Sequence, residues 1–258
     1  MLERNQIKVK SVKKTIDVLN SFLQDEYLGV TEIASRLNLS KSNAYDILTT
    51  LVALDYLGQD TVSEKYYLSV GAIRLSRGVG SRYSFRNIAK PFMQDLANME
   101  KKEVSLTVPF NNEIFYLESV IPSKMGIYTP KKMRSYTCRM HCTASGKCML
   151  ANMPREYVMQ YMASGLEKYT ENTITNDIVF LQALDNILKE GYAIDYYEWS
   201  QDYGCIGVPL FSPFHKLIGA ISINMTSDIE NKQEVLRIKE HLIDISNQIT
   251  NLMSGGRE

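Results

Sequence analysis

Each thing this sequence has little of removes a class of function. Its charges cancel, with Lys+Arg and Asp+Glu both at 29, so no overall basic excess advertises a nucleic-acid partner, and any such contact has to come from local clustering. No apolar run approaches the roughly 20 residues that span a bilayer, and the start, MLERNQIKVK, carries charges without an apolar signal core. A cytoplasmic location is therefore expected, with no membrane partner. The four cysteines, Cys138, Cys142, Cys148 and Cys205, are expected to be reduced thiols in a chain without an export signal. Cys138, His141 and Cys142 are metal-ligating residue types, but they lack the paired C-x-x-C spacing of a zinc site, so no metal is expected. No Gly-rich phosphate loop, metal pair or nucleophile elbow is present, and no cofactor is expected either.

What is there begins with size. A chain of 258 residues, 45% of them hydrophobic, can hold two domains with cores of their own without metal or disulfide staples. The stretch with the most defined grammar is Thr31 to Leu54, TEIASRLNLSKSNAYDILTTLVAL. Ile33, Ala34 and Leu37 give a small apolar stripe, with Thr31 placed to cap the helix. Asn38 tolerates the left-handed conformation that ends a helix. Ser40 then caps a second helix, with Asn43 three positions on, and Ala44, Ile47, Leu48 and Leu51 repeat at i, i+3, i+4 and i+7 toward a core. The opposite face carries Ser42, Tyr45, Asp46 and Thr49, which donate, accept and stack as a helix in a major groove must. A surface helix of an ordinary helical domain fits these residues equally well.

The flanks sharpen the reading. Lys8, Lys10, Lys13 and Lys14 form a basic arm ahead of a helix with Val12, Ile16, Leu19 and Leu23 on one face, completing a three-helix unit. Lysines at a helix start oppose its dipole, so phosphate contact is the better reason for them. YLGQDTVSEKYYLSV reads as a hairpin turning at Asp60 to Glu64. Such a hairpin is a wing, with Lys65 and Tyr66 placed either to touch DNA or merely to cover the small core. The candidate DNA-contacting residues are Lys13, Lys14, Ser40, Lys41, Ser42, Asn43, Tyr45, Thr49 and Lys65. Gly71, Gly78 and Gly80 place a domain boundary near Gly78 to Ser84, giving domains at 1–78 and 79–258.

Beyond the boundary, Phe85, Ile88, Ala89, Phe92, Leu96 and Met99 recur at helical spacing. EVSLTVPF and EIFYLESVI alternate like paired strands turning at Asn111 and Asn112. HCTASGKCMLANM opens a helix near Thr143, and another helix runs from Asn176 to Lys189. YAIDYY, CIGVPLF and LIGAISINM are strand candidates. Val235, Ile238, Leu242, Ile245, Ile249 and Leu252 then form the stripe of a final helix. That order predicts an α+β domain, an antiparallel sheet with helices on its faces.

Together, LSKSNAYDILTTLVALDYLG with YYLSVGAI, HCTASGK, and GYAIDYYEWSQDYGCIGVPLF with GAISIN resemble an IclR-type transcriptional regulator along nearly the whole chain. The resemblance implies a winged helix-turn-helix joined by a helical linker to a GAF-like effector-binding domain. It also implies double-stranded operator DNA, a homodimer or dimer of dimers, and a small organic or aromatic acid as effector. Residue by residue, it places the effector on the backbone amides of Ala144 and Ser145, with Asp195, Cys205, Ser222 and Asn224 as polar pocket residues. The physics agrees at the first of these, because free N–H groups at a helix start form an anion site. Two features depart from the family pattern. Asp46 stands where a basic residue is common, which implies a different operator preference, and SYTCRM before His141 lacks glycine and proline, which implies a different pocket lid.

Two other readings compete. Cys205, His141 and Asp195 can be written as nucleophile, base and orienting carboxylate, although Cys205 begins an apolar strand rather than a helix N-terminus that would stabilise a thiolate. The other is a metabolite-sensing domain whose helical partner has no DNA role.

Overall fold

The computed structural model describes residues 7–80, 83–123 and 137–254; Ser135 and Tyr136 of the expected lid lie outside them. Its internal contacts divide the chain into Met1–Tyr83 and Ser84–Glu258.

The first unit is a three-helix core with a small hairpin. Helix α1 (Lys10–Ser21) is followed by α2 (Val30–Leu37) and α3 (Lys41–Ala53), then strands β1 (Leu57–Gln59) and β2 (Tyr66–Leu68), and helix α4 (Val70–Gly78). Asn38 adopts the left-handed conformation, φ 52°, and ends α2 there. Ser40 caps α3, its Oγ accepting Asn43 N–H at 3.2 Å. Ile33, Ala34, Ala44, Leu48 and Leu51 are buried together with Val18, Phe22, Leu28, Leu57 and Tyr66. The wing pairs Leu57 with Leu68 and Gln59 with Tyr66.

Three expectations are corrected in this unit. Helix α2 begins one residue before Thr31, and its cap is Gly29, whose N–H the Glu32 carboxylate accepts at 2.6 Å. Helix α1 buries Val18, Ser21 and the adjoining Phe22, whereas Val12, Ile16 and Leu23 are exposed. Apolar spacing marks a sticky face without saying that the core covers it. Tyr66 is 1% exposed and belongs to the core, so it is removed as a DNA contact. The glycine-punctuated stretch is helical as far as Gly78, because Gly71 lets α4 lie against the preceding turn; a Cβ there would sit 2.6 Å from the Asp55 carbonyl oxygen.

The second unit is a six-stranded antiparallel sheet with helices on both faces. It comprises α5 (Phe85–Glu100), β3 (Val104–Phe110), β4 (Glu113–Val120), β5 (Thr137–Arg139), α6 (Ala144–Ala151), α7 (Arg155–Ala163), α8 (Asp177–Glu190), β6 (Ala193–Asp195), β7 (Gly204–Phe211), β8 (Leu217–Met225) and α9 (Lys232–Ser254). The strand order is β5-β4-β3-β8-β7-β6. Asn111 and Asn112, at φ 49° and 63°, make the β3–β4 turn, as their chemistry predicts. Alternation divides each central strand. Val104, Leu106, Ile221, Ile223, Ile206 and Val208 are buried on one side, where α5 and α9 pack, while Ser105, Thr107 and Ser222 lie on the side of α6 and α8.

Helices α5 and α9 are clasped by Glu100. Arg237 donates to its two oxygens at 2.7 and 2.6 Å, and His241 Nδ1 lies at 2.8 Å. Burial alone would raise the Glu100 carboxyl; these two partners hold it below the usual carboxylate range. In α5 the buried methionine is Met93 rather than Met99, and in α9 Leu252 is exposed. Strand β5 and helix α7 are additions to the sequence expectation; Val158, Tyr161 and Met162 of α7 are buried beside α6 and α8.

Candidate functional site

Two surfaces of different character carry the candidate residues. In the first unit, the core-facing residues of α3 hold its other face outward, so that Lys41, Ser42, Tyr45 and Asp46 are exposed and Thr49 is half-buried. Thr49 donates its hydroxyl to the carbonyls of Tyr45 and Asp46 at 2.9 and 3.2 Å, which leaves its oxygen and methyl group for a ligand. Ser40, which caps the helix by accepting the Asn43 backbone N–H, is exposed, and Asn43 is half-buried. Lys13 pairs with Asp17, and Lys65 with Glu32 at 3.1 Å. Both pairs are exposed, and such pairs contribute only about 0–1 kcal/mol, so a phosphate can displace either carboxylate. Lys14 and Lys41 have no ion pair among the described residues.

In the second unit the site is internal. Thr143 caps α6, its Oγ accepting Gly146 N–H at 3.2 Å and its carbonyl accepting Lys147 N–H at 2.9 Å. The amides of Ala144 and Ser145 have no acceptor among the described residues. Gly207 of β7 lies directly beneath them, since a Cβ there would be 3.1 Å from Ser145 N. Cross-strand register sets out the rest. Ser222 pairs with Gly207 on one side and Ser105 on the other, and Ser105 pairs with Ser119. One step along the strands, Asn224 pairs with Cys205, and Cys205 with Asp195. Fold and pairing thus bring Ala144, Ser145, Asp195, Cys205, Ser222 and Asn224 to one face of the sheet.

Their protonation follows from burial. Asp195 is 1% exposed, and burial pushes its carboxyl up to about 7, against the field of Lys147 and the Glu198 N–H that it accepts at 2.6 Å. Cys205 donates its thiol to Asn224 Oδ1 at 3.3 Å. Burial pushes that thiol well above the usual range, and the nearby Asp195 and Glu103 add to the shift. His141 is hydrogen-bonded through Nδ1 to the Tyr161 hydroxyl at 2.9 Å and through Nε2 to the Glu167 carbonyl at 2.8 Å. The thiol, imidazole and carboxylate therefore do not assemble as a catalytic trio: the thiol is held neutral and the imidazole is engaged elsewhere.

Sequence reasoning missed three groups. Lys147, 3% exposed, bonds the Ile194 carbonyl at 2.6 Å and forms a buried ion pair with Glu198, tying α6 to the turn after β6. Its partner is 51 residues away, and nothing local announces it. Glu103 joins the polar face through Asn224 Nδ2, which it accepts at 3.0 Å. Ser105 and Ser119 share a 2.9 Å hydrogen bond on the same face; the strand alternation that placed Ser222 and Asn224 together was the available signal.

No helix of the described residues is long and apolar enough to cross a membrane. A family model described as the IclR helix-turn-helix domain matches residues 11–61, and one described as the bacterial transcriptional regulator IclR C-terminal domain matches residues 78–251. The chain is 29% identical over 232 residues to the HTH-type transcriptional regulator KdgR of Escherichia coli, covering 86% of this chain and 84% of that protein. It superposes on the crystal structure of Thermotoga maritima IclR with a TM-score of 0.76 at 26% identity, covering 95% and 98% of the two chains. An IclR homolog from Microbacterium hydrocarbonoxydans, complexed with 4-hydroxybenzoate, shares the fold with a TM-score of 0.83 at 19% identity, covering 95% and 100%.

Proposed function

Because the chain belongs to the IclR family of transcriptional regulators, with DNA binding by its helix-turn-helix and regulation by a small-molecule effector, we propose which residues perform each task. Ser42, Asn43, Tyr45 and Thr49 read base edges from α3, with Ser40 at its start. Lys13, Lys14, Lys41 and Lys65 hold phosphates. The effector is a small carboxylic acid whose carboxylate sits on the Ala144 and Ser145 amides, with Asp195, Cys205, Ser222 and Asn224 around its other end. The complex of a family member with 4-hydroxybenzoate supports an acid of that size. The single observation that carries this reading is the open pair of amides at the start of α6, facing Gly207 and bordered by the polar row; a helix start of this kind favours an anion.

DNA reading requires two α3 helices about 34 Å apart on successive turns of the duplex, hence a homodimer or a dimer of dimers. The groove of about 440 Å³ whose apolar lining is Ile7 and Val9 just before α1 and Val12 and Ile16 on it supports a second copy of the chain as its cover. The effector changes operator affinity by binding one arrangement of the dimer better than the other, a coupling of about 1–3 kcal/mol in regulators of this kind. The test of the DNA assignment is the salt dependence of operator affinity. Log affinity should fall linearly and steeply with log salt, because each neutralised phosphate releases counterions; a flat response removes the lysine contacts.

A further inference from the structure

The polar face of the sheet has a chemical bias set by one carboxylate. Glu103, just before β3, accepts Asn224 Nδ2 at 3.0 Å with its Oε2, while its backbone carbonyl accepts Asn224 N–H at 3.0 Å. Asn224 in turn accepts the Cys205 thiol, so the amide's oxygen and nitrogen are both engaged with protein. Burial raises the Glu103 carboxyl above the usual range, against hydrogen bonds from Ser119 and Asn224. A carboxylate offers about four acceptor sites, and these two donors leave part of that capacity open. No cation pairs with Glu103 among the described residues; Lys102, its neighbour in sequence, pairs with Asp228. A half-buried carboxylate with open acceptor sites and no counter-ion favours a ligand that brings hydrogen-bond donors and disfavours one that brings a second anion.

Position then sets where those donors must be. The Ala144 and Ser145 amides lie over Gly207 on β7, and Glu103 lies at the start of β3, two strands away across β8. At about 4.8 Å per strand, that separation is roughly 10 Å across the sheet. Ser222 on β8 lies between these strands and Ser105 on β3 beside Glu103, with Ser119 on β4 beyond it; serine hydroxyls both donate and accept. An acid held by its carboxylate at α6 therefore presents its opposite end to Glu103.

We propose that Glu103 determines effector specificity by accepting a hydrogen bond from a hydroxyl remote from the effector's carboxylate, so that the effector is a hydroxylated carboxylic acid rather than a purely apolar one. The proposal rests on the assignment of the α6 amides as the carboxylate site. Two sources of that chemistry, an aliphatic polyhydroxy acid and a ring-hydroxylated aromatic acid, are separated by the choice of probes.

Calorimetric titration of the full-length protein with two matched pairs, gluconate against hexanoate and 4-hydroxybenzoate against benzoate, tests it. The hydroxylated member of at least one pair should bind at least tenfold tighter than its partner, and the pair that shows the preference identifies the source. Glu103→Gln preserves shape and Glu103→Ala removes the acceptor. Both should reduce the preference at least fivefold while leaving the affinity of the deoxygenated acid unchanged, with operator binding and far-ultraviolet circular dichroism as checks of folding. Equal affinity within both pairs, or a preference that survives both substitutions, overturns the role of Glu103 and leaves the carboxylate site standing. Failure of all four acids to bind overturns the carboxylate site itself and this proposal with it.

Discussion

The two units of this chain place their chemistry on opposite sides of their surfaces. In the N-terminal unit the apolar residues of α3 are packed inward and the polar ones, Ser42, Tyr45 and Asp46, stand in solvent, so recognition there is a matter of presenting side chains to a large rigid partner. The C-terminal unit does the reverse: Ser105, Ser222 and Asp195 are 3%, 5% and 1% exposed and line the inner face of a sheet. A buried polar group has to find partners, and Ser105, Ser119, Glu103 and Asn224 find each other in a chain along that face. The contrast is one of reversibility. Exposed groups gain and lose a DNA partner at little desolvation cost, whereas a buried polar group costs free energy wherever it lacks a hydrogen-bond partner, so its energy depends strongly on what it is bonded to.

The largest effect that sharpens this contrast comes from the exposed face. Replacing Ser42, Asn43 and Tyr45 together by Ala should weaken operator binding about 100-fold or more, at about 1–3 kcal/mol per good base contact, with acid binding and melting temperature unchanged. Band-shift titration with calorimetry measures both; an equal loss of acid binding would break the separation of roles. A smaller effect belongs to the buried face. Asp195 titrates at about 7 rather than near 3.8, so between about pH 4 and pH 7 the folded state holds a proton that the unfolded state has released. Stability is therefore highest below pH 4 with respect to this group and declines as pH rises through 7. In Asp195→Asn that decline should disappear, seen as a melting temperature that rises by a few degrees relative to the parent at pH 8 compared with pH 5, at about 2–4 °C per kcal/mol. Parallel pH profiles for the two proteins would show that Asp195 ionises without penalty.

Much of this was legible because it is local. Asn38, Ser40, Asn111, Asn112, Thr143 and Asn176 each set a turn or cap by their own chemistry, and the structure has them there. Strand alternation was equally readable, which brought Ser222 and Asn224 to one face. What could not be read depends on neighbours far along the chain. The spacing of Val12 and Ile16 matches that of a core stripe, yet only the absence of a covering element distinguishes an interaction face from a core. Tyr66 and Lys65 are adjacent in the wing, and the pleat alone sends one inward. Glu103 and Lys147 look like surface charges until β8 and the turn after β6 are folded against them. The family resemblance supplied the expected effector-binding residues, but it did not supply Glu103.

The central claim is that the buried polar face controls the exposed one. The direct measurement is operator affinity by fluorescence anisotropy, with and without a saturating acid that binds the protein, for the parent and for Ser222→Leu, which puts a bulky apolar side chain beside Gly207. The account predicts that the acid changes the parent's affinity by about 5–150-fold and leaves the variant's affinity unchanged, with both proteins equal in the absence of acid. An acid-induced change of the same size in Ser222→Leu would contradict it.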